Sequence, residues 1–442
     1  MVFVLNTDMN SPMLNDSKAP IYCGKSMDDF HTAYFQLHGY ISLIVCTLGT
    51  IANILNIIVL TRKEMQSPTN FILTGLAFAD LSVMIEYIPY ATHSYIHKYM
   101  GYSDEQIYTY SWTVYVKFHS IFGQICHTIS IWLTVTLAIW RYIAVAYPQR
   151  NRILCGTRNT VITIAAAYVI CPLIVVPPSY LSFDVTHKVK TVSDFDEYNN
   201  ENIYHWKEIN SSEYVTETLH QKTTFSTHLK GDQSSFRTRN ITLYNIQISE
   251  LAREYEMLYH LNVWIYAIII KLIPCIALTI LSLRLIAALL EAKRRRKLLA
   301  SHNKSEIKLI GEKTVSKPRK HNKALEKEKQ TDRTTKMLLA VLLLFLITEF
   351  PQAILGFLVL YLEKTFMFNC YLKLGDLMDI LALINSGINF ILYCSMSRQF
   401  RLTFSLLFRP KFLDKWLPVP QNDIRTQRGT ETIYLTTQVT QI

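Results

Sequence analysis

Several motifs that mark enzymes are missing from this sequence of 442 residues. It contains no HExxH zinc motif, no GxSxG nucleophile elbow, no pair of CxxC motifs and no phosphate-binding loop. Nor does it show the repeated halves that many transporters have. These absences argue against an enzyme and against a transporter.

Long apolar runs dominate the chain, half of whose residues are hydrophobic. The formal net charge of +11 is not spread over a soluble surface, so it does not indicate nucleic-acid binding. About 20 apolar residues span a bilayer. The runs of that length are 38–61, 70–96, 113–144, 160–183, 259–290, 336–362 and 371–394. We therefore predict an all-α membrane protein with a seven-helix transmembrane bundle. No cleavable signal precedes the first run, so we expect the first helix to act as its own insertion signal.

Lysine and arginine in alternate loops indicate the orientation in the membrane. The loop after the first run holds Arg62 and Lys63, and the loop after the third is basic between 150 and 158. The segment after the fifth run opens with KRRRK at 293–297. We predict that these loops are cytoplasmic, which places the N-terminus outside and the C-terminus inside. The predicted outer side carries the N-glycosylation sequons at Asn15, Asn210 and Asn240.

The runs divide the chain into a bundle with an outer segment before it and an inner tail after it. The predicted parts are an extracellular segment 1–37, the bundle 38–394, an outer loop 184–258, an inner loop 291–336, an amphipathic membrane-surface helix 395–409 and a cytoplasmic tail 410–442. The outer loop is polar and lacks cysteine, and we interpret it as a mobile glycosylated flap. Threonines in the tail are candidate phosphosites through which arrestin would bind. The terminal Thr-Gln-Ile is a candidate strand for a PDZ-type groove.

Two of the eight cysteines, Cys23 and Cys370, are predicted to face the oxidising exterior. We predict that they form a disulfide between the N-terminal segment and the start of the seventh helix. The alternative is a pair of free thiols at the outer rim.

A polar stripe runs along the third predicted helix and ends in Arg141. Steps of three or four residues back from this arginine give Thr134, Ser130, His127, Gly123 and His119. Unpaired polar groups cost several kcal/mol each in hydrocarbon. The stripe is therefore predicted to line the inside of the bundle, with the arginine at the inner water boundary.

Carboxylates inside predicted spans mark functional sites by default. Asp80 and Glu86 lie in the second run, six residues apart, which is about 120° round an ideal helix. Pro89 can break that phase and so let Glu86 point inward. Glu349, close to Pro351 in the sixth run, is expected in a pocket or switch; the alternative is a structural hydrogen bond.

Taken together, these motifs resemble those of the rhodopsin-like G-protein-coupled receptors. The matching positions are Asn53, LAFAD with Asp80, Trp140-Arg141-Tyr142, FLITEFP with Glu349, and NFILY with Tyr393. Within that superfamily the chain is similar to invertebrate neuropeptide receptors of the myosuppressin and FMRFamide-like type, related to the sex-peptide receptors. Helices two, three, six and seven carry the likeness.

Four departures from the wider superfamily look typical of this subgroup. Trp140 replaces the usual acidic residue before Arg141, Glu349 replaces a tryptophan and Phe390 replaces the proline of NPxxY. Around Val116 there is no cysteine to anchor the outer loop. The resemblance therefore transfers the fold more securely than the general activation mechanism.

The resemblance implies roles for residues in the inner half of the bundle. Arg141 would meet the G-protein peptide, with Tyr142 and Tyr393 beside it. The implied sodium site consists of Asp80, Ser130, Asn385 and Asn389, and its alternative is a water-filled polar network. Apart from this possible sodium ion, we expect no metal or cofactor.

For the ligand, the resemblance implies an amidated peptide ending in Arg-Phe or a similar pair, and it suggests inhibitory G-protein coupling. A guanidinium needs a shielded acidic partner, for which the candidates are Glu86, Glu349, Asp376 and Asp379. The amide and phenyl ring would lie deeper, against Tyr87, Tyr90, Phe122 and Phe350. His127 and Gln124 are candidate hydrogen-bond partners of the amide.

Other receptor classes fit less well. The seventh helix carries only Lys373, at its outer edge, whereas a light receptor needs a deep lysine for its chromophore. An amine receptor would have an aspartate in the third helix, which has none. The remaining alternative is a receptor-like scaffold without G-protein coupling.

Overall fold

A computed structural model describes residues 22–194, 237–309, 339–340, 343–362 and 365–408. Seven helices in these ranges are long and apolar enough to cross a membrane, which confirms the seven-helix prediction. They are Lys25–Leu60, Pro68–His97, Tyr110–Ala146, Thr157–Ser182, Glu256–Glu291, Leu343–Leu362 and Asn369–Ser395, and we number them spans one to seven. Asn15, Asn210, nearly all of the inner loop after Leu309 and the tail 410–442 lie outside the described residues.

Local sequence signals set the helix ends on the loops. Ser67 caps the second span by accepting a hydrogen bond from the Asn70 backbone N–H at 3.2 Å, and proline occupies the first helical position. Thr109 caps the third span in the same way, from Trp112 N–H at 3.3 Å. The third span ends at Ala146, shortly before Pro148.

Three spans contain stretches that are not regular α-helix. The second ends in a π-helical turn, Thr92–His97. The fifth consists of Glu256–Trp264, a π-helical stretch Ile265–Leu272 and a long helix Ile273–Leu309 that extends past the apolar part. The seventh begins with Met367–Tyr371 (π) and Leu372–Leu374 (3₁₀) and continues as Gly375–Gly387 and Asn389–Met396. Such π-helical turns occur frequently at functional sites.

The first span begins earlier than its apolar run predicts, at Lys25 rather than residue 38. Asp28 in the first turn stabilises this extension because its charge opposes the positive end of the helix dipole. A disulfide between Cys23 and Cys370 holds the segment against the start of the seventh span, with the two Cα atoms 5.6 Å apart. The disulfide was predicted from the sequence, and the structure confirms it.

A two-stranded antiparallel hairpin covers the outer end of the third span. Its strands are β1 (Phe183–Asp194) and β2 (Arg237–Ile248), with Phe183 opposite Ile248. Thr113 donates a hydrogen bond to the Tyr244 carbonyl at 3.1 Å, and Tyr244 N–H donates to the Tyr108 carbonyl at 2.9 Å. These contacts tie the hairpin to the outer end of the third span, around which the sequence has no cysteine. Within the predicted outer loop, these two segments therefore form a hairpin that the sequence analysis did not predict.

Shorter helices complete the described part. They are Lys63–Met65 (3₁₀), Asp104–Ile107, Pro148–Leu154, Glu250–Glu254 and Arg398–Phe408. The last lies within the predicted amphipathic segment 395–409. Its Phe400 is fully buried against Phe390 and Tyr393.

The second span is the most deeply buried of the seven and packs against spans one, three, four and seven. Close approach to the first span depends on Gly39, where an added Cβ would lie 2.6 Å from the Tyr95 Cβ. This central position explains why polar residues on several faces of the second span are shielded.

Candidate functional site

The polar stripe of the third span faces the interior of the bundle, as predicted. His119, Ser130 and Thr134 are buried, and so is Gly123. His127 is largely buried, with 13% of its side chain exposed. The stripe therefore supplies polar groups to contacts with the second, fifth and sixth spans.

A cluster of four polar side chains joins the third, fifth and sixth spans. We call it the charged cluster; it consists of His127, Lys271, Glu349 and Gln352. Lys271 Nζ lies 2.7 Å from Glu349 Oε2, 2.8 Å from His127 Nε2 and 2.5 Å from Gln352 Oε1. Lys271 is 1% exposed and Glu349 0% exposed. Glu349 is thus neutralised within the bundle by a lysine to which the sequence alone assigned no role.

Two further contacts define the charged cluster. Gln352 Nε2 donates to the Met378 carbonyl at 2.7 Å and so ties the cluster to the seventh span. His127 Nε2 lies 3.1 Å from Glu349 Oε2. The other carboxylate oxygen, Glu349 Oε1, is shielded from solvent and has no hydrogen-bond partner. A shielded acceptor without a donor is rare in folded proteins and calls for an explanation.

Nearer the outer end, the Glu86 carboxylate contacts the Nδ1 atom of His119 of the third span at hydrogen-bond distance, and both side chains are buried. Tyr115 donates its hydroxyl to the Glu86 carbonyl at 2.6 Å, and the Tyr90 ring stacks on His119 at a centroid distance of 3.9 Å. The second span is α-helical through Ala91, so Pro89 does not change the phase between the two carboxylates. Glu86 points inward because the second span is enclosed on several faces.

A second acidic position lies at the start of the seventh span. Asp376 Oδ1 accepts a hydrogen bond from the Tyr95 hydroxyl at 2.7 Å. Asp376 Oδ2 has no hydrogen-bond partner, and the nearest His31 nitrogen lies 4.0 Å away. The side chain is 13% exposed. Asp379 follows one turn later on the same helical face and is half-buried.

Aromatic side chains surround these acids. Tyr87 and Tyr90 are buried, and the Tyr87 hydroxyl is 3.0 Å from His38 Nε2. Phe122 is half-buried and stacks on Phe118 at 5.1 Å. Tyr87 and Tyr90 therefore pack into the wall of the outer half.

The other proposed ligand residues differ in burial. Gln124 is buried, and its backbone carbonyl accepts from the Thr128 hydroxyl at 2.6 Å. Phe350 is 48% exposed, although the adjacent Glu349 is fully buried. The structure thus gathers most of the predicted ligand residues in the outer half but leaves Phe350 on a different face of the sixth span.

The network around Asp80 contains three of its four predicted members. Ser130 donates to Asp80 Oδ1 at 2.9 Å, and Asn389 donates to Oδ2 at 3.1 Å. Asn385 is half-buried and, among the described residues, makes no hydrogen bond to Asp80. Asp80 and Ser130 offer oxygen atoms of the kind that a hard cation prefers, and the sodium site stays a prediction.

At the inner end, Arg141 forms no ion pair within the part of the chain that the structure describes, and its buried Nε has no hydrogen-bond partner. Trp140, which stands in the usual acidic position, instead donates to the Thr160 hydroxyl of the fourth span at 3.1 Å. Tyr142 packs edge-on against Tyr147, and Tyr393 is buried against Phe400. Arg141 is thus half-buried, without an acidic partner in the described ranges.

Comparison with known families identifies the class of protein. A family model described as "Serpentine type 7TM GPCR chemoreceptor Srw" matches residues 40–232 and 232–411. The chain belongs to this family of G-protein-coupled receptors. It is therefore a multi-pass membrane receptor rather than an enzyme.

Relatives of this Srw-family receptor carry names that agree with the resemblance. The G-protein coupled receptor dmsr-1 of Caenorhabditis elegans is 29% identical over 85% of this chain and 69% of its own length. The sex peptide receptor of Drosophila melanogaster is 28% identical over 86% of this chain and 74% of its own. The FMRFamide receptor of Drosophila melanogaster is 24% identical over 87% of this chain and 56% of its own.

The fold of the receptor is similar to that of squid rhodopsin. The TM-score is 0.56 at 15% identity, and the alignment covers 90% of this chain and 92% of the rhodopsin chain. At this identity the likeness shows the fold alone.

Side chains of the site that escaped sequence reasoning include Lys271, Gln352, Tyr115, His38 and Tyr95. Lys271 follows a run of isoleucines, and His38 and Tyr95 lie in apolar surroundings of spans one and two. Lys271 carried the clearest signal, because a charged residue within a span needs a partner and Glu349 was available.

Proposed function

We propose that this receptor binds an extracellular peptide ending in a basic residue, an aromatic residue and a C-terminal carboxamide, and activates a heterotrimeric G protein of the inhibitory type. The names of the sex peptide and FMRFamide receptors support a peptide ligand. The loop charges support an orientation with Asp376 and Glu86 toward the outside.

The observation that carries the proposal is the state of the buried acids. Glu349 is already paired with Lys271, and Glu86 with His119. Asp376 differs because its side chain is partly exposed and its Oδ2 lies 4.0 Å from the nearest basic nitrogen among the described residues, that of His31. A planar guanidinium forms its strongest pairs with a carboxylate in a shielded site. Asp376, with Asp379 one turn deeper, is therefore the proposed partner of the peptide's basic residue.

The peptide's aromatic residue would lie inward of this acid. The half-buried Phe122 offers a ring face, and the buried Tyr87 and Tyr90 close the wall behind it. Aromatic pairs add about 0.5–1.5 kcal/mol beyond the area they bury. Gln124 and His127 remain proposed partners of the terminal amide.

On the inner side, Arg141 is proposed to meet the G protein. A guanidinium without an internal carboxylate partner is free to pair with a partner protein once the inner ends of the helices separate. Tyr142 and Tyr393 are proposed to lie beside it. In the tail, phosphorylated threonines would bind arrestin and the last three residues a PDZ domain. Glycans are proposed on Asn15, Asn210 and Asn240.

The ligand proposal is tested by replacing Asp376 with asparagine, which keeps the side-chain shape and removes the charge. Breaking a shielded charge pair costs about 2–5 kcal/mol, so the potency of an amidated Arg-Phe peptide should fall at least tenfold. Asp28→Asn is the matched control, because Asp28 pairs with Lys373 at the outer end but is more exposed. Equal potency in wild type and Asp376→Asn, at equal surface expression, contradicts the proposal.

A further inference from the structure

We infer that the charged cluster distinguishes the ligand's C-terminal carboxamide from a free carboxylate, with Glu349 as the residue that determines this specificity. This inference rests on the proposed function and names the group of the receptor that reads the peptide's last atoms. In this inference, Lys271 keeps the Glu349 carboxylate ionised and fixes its position.

The hydrogen bonds of Glu349 leave one defined position for a ligand. Its Oε2 is occupied by Lys271 at 2.7 Å and His127 at 3.1 Å. Its Oε1 is shielded and has no partner. A primary carboxamide carries two N–H donors, whereas an ionised carboxylate carries none. Only the amidated peptide can therefore supply the donor that Glu349 Oε1 lacks.

The cluster also offers a donor to the carbonyl oxygen of the same carboxamide. The three N–H groups of the Lys271 ammonium face Glu349, Gln352 and His127. A neutral His127 that accepts from Lys271 at Nε2 keeps an N–H donor on its other ring nitrogen. His127 is the member with the largest exposed fraction, 13%, and it lies on the polar stripe that continues outward to His119. A ligand group that approaches along the stripe meets His127 first.

The distance in depth between Asp376 and the charged cluster matches the length of the last two residues of the proposed peptide. The Gln352–Met378 hydrogen bond places these two residues of the sixth and seventh spans at about the same depth in the bundle. From the rise of 1.5 Å per helical residue, Glu349 lies roughly 7 to 8 Å deeper than Asp376. Two residues of extended chain span about 7 Å. If the peptide's basic residue binds Asp376, the carboxamide that follows the peptide's aromatic residue lies near Glu349.

Charge explains the discrimination. A free carboxylate at this depth would face the Glu349 carboxylate in a shielded region, where like charges are strongly unfavourable. If Glu349 becomes glutamine, the repulsion disappears and the Lys271 ammonium loses its counter-ion. A free carboxylate can then replace the missing charge, so the preference should move toward the free acid.

The test compares one peptide ending in Arg-Phe, made with a C-terminal carboxamide and with a free carboxylate, on three receptors. These are wild type, Glu349→Gln and the double variant Lys271→Met/Glu349→Gln, each measured for surface expression and for nucleotide exchange on a G protein. Wild type should prefer the amide at least about tenfold, and Glu349→Gln should reduce or reverse this ratio at least about tenfold. The double variant lacks both charges and should respond to the two peptides within about threefold of each other.

The outcomes separate the inference from the proposed function. If neither peptide activates wild type, the proposed function fails and the inference with it. If the amide activates wild type but the ratio of the two potencies is the same in all three receptors, the proposed function stands and the inference is overturned. If Glu349→Gln does not reach the cell surface, the double variant still provides the test. The double variant buries no unpaired charge, so we expect it to fold.

Discussion

Replacing Lys271 with methionine should destabilise the bundle. Among the described lysines, we expect this replacement to have the largest effect on stability. The substitution removes the ammonium that contacts Glu349, Gln352 and His127, and leaves Glu349 with only the His127 contact at 3.1 Å. The pair is almost completely shielded, so solvent cannot replace the lost partner. Breaking one side of a buried ion pair costs about 3–5 kcal/mol, and we expect this range for the free energy of unfolding.

A double-mutant cycle shows whether the cost comes from the pair. Lys271→Met and Glu349→Gln should each destabilise the receptor, but the double variant should lie within about 1–2 kcal/mol of wild type, because no unpaired charge remains. The control is Lys373→Met, whose partner Asp28 is largely exposed. Removing that pair should cost at most about 1 kcal/mol.

The assay is the thermal stability of the purified receptor in detergent, followed by intrinsic fluorescence, together with surface expression in cells. The reasoning is refuted if Lys271→Met loses no more stability than Lys373→Met. It is also refuted if the effects of the two cluster substitutions simply add in the double variant.

The remaining predictions concern the outer rim and the contact of the first two spans. Cys23→Ser and Cys370→Ser should each lower stability by about 2–5 kcal/mol, and the double variant should be no worse than either alone; additive losses in thermal unfolding would show that the disulfide is not the cause. Gly39→Val should reduce surface expression strongly because its Cβ would clash with Tyr95, while Gly24→Ala, with no atom within 4 Å of the added Cβ, should be neutral; equal expression of the two variants would contradict the close packing.

Hydrophobic runs were sufficient to predict the seven spans, and helical periodicity was sufficient to predict the buried stripe of the third. Both follow from local rules that a single segment must satisfy in a bilayer. The disulfide between Cys23 and Cys370 followed from compartment alone, because these were the two cysteines on the predicted outer side. These features need no knowledge of how the helices pack.

The pairing of buried charges was not predicted, because it depends on the rotation and height of each helix relative to its neighbours. Glu349 was one of four acids named for the ligand's guanidinium, and its contact with Lys271 of the fifth span was not foreseen. A break of the helical phase at Pro89 was named as a way for Glu86 to point inward, yet a regular helix buries it against His119. Propensity within one segment carries no information about such contacts.

The hairpin was missed although its strands carried a signal. Phe183, Val185 and Val189 alternate with polar residues, and this period of two is typical of a strand with one covered face. The length and polarity of the whole loop outweighed this short pattern in our interpretation. Its contact with the third span became visible only in the structure.

The central claim is that peptide binding outside is transmitted to a G protein through Arg141. The most direct measurement is nucleotide exchange on a purified inhibitory-type G protein, with an amidated Arg-Phe peptide and with receptors carrying Arg141 or Arg141→Ala. We predict that the peptide accelerates exchange with wild type, and that Arg141→Ala abolishes the acceleration while peptide binding and surface expression remain. A receptor that binds the peptide without accelerating exchange on any G protein would contradict the account and favour a scaffold.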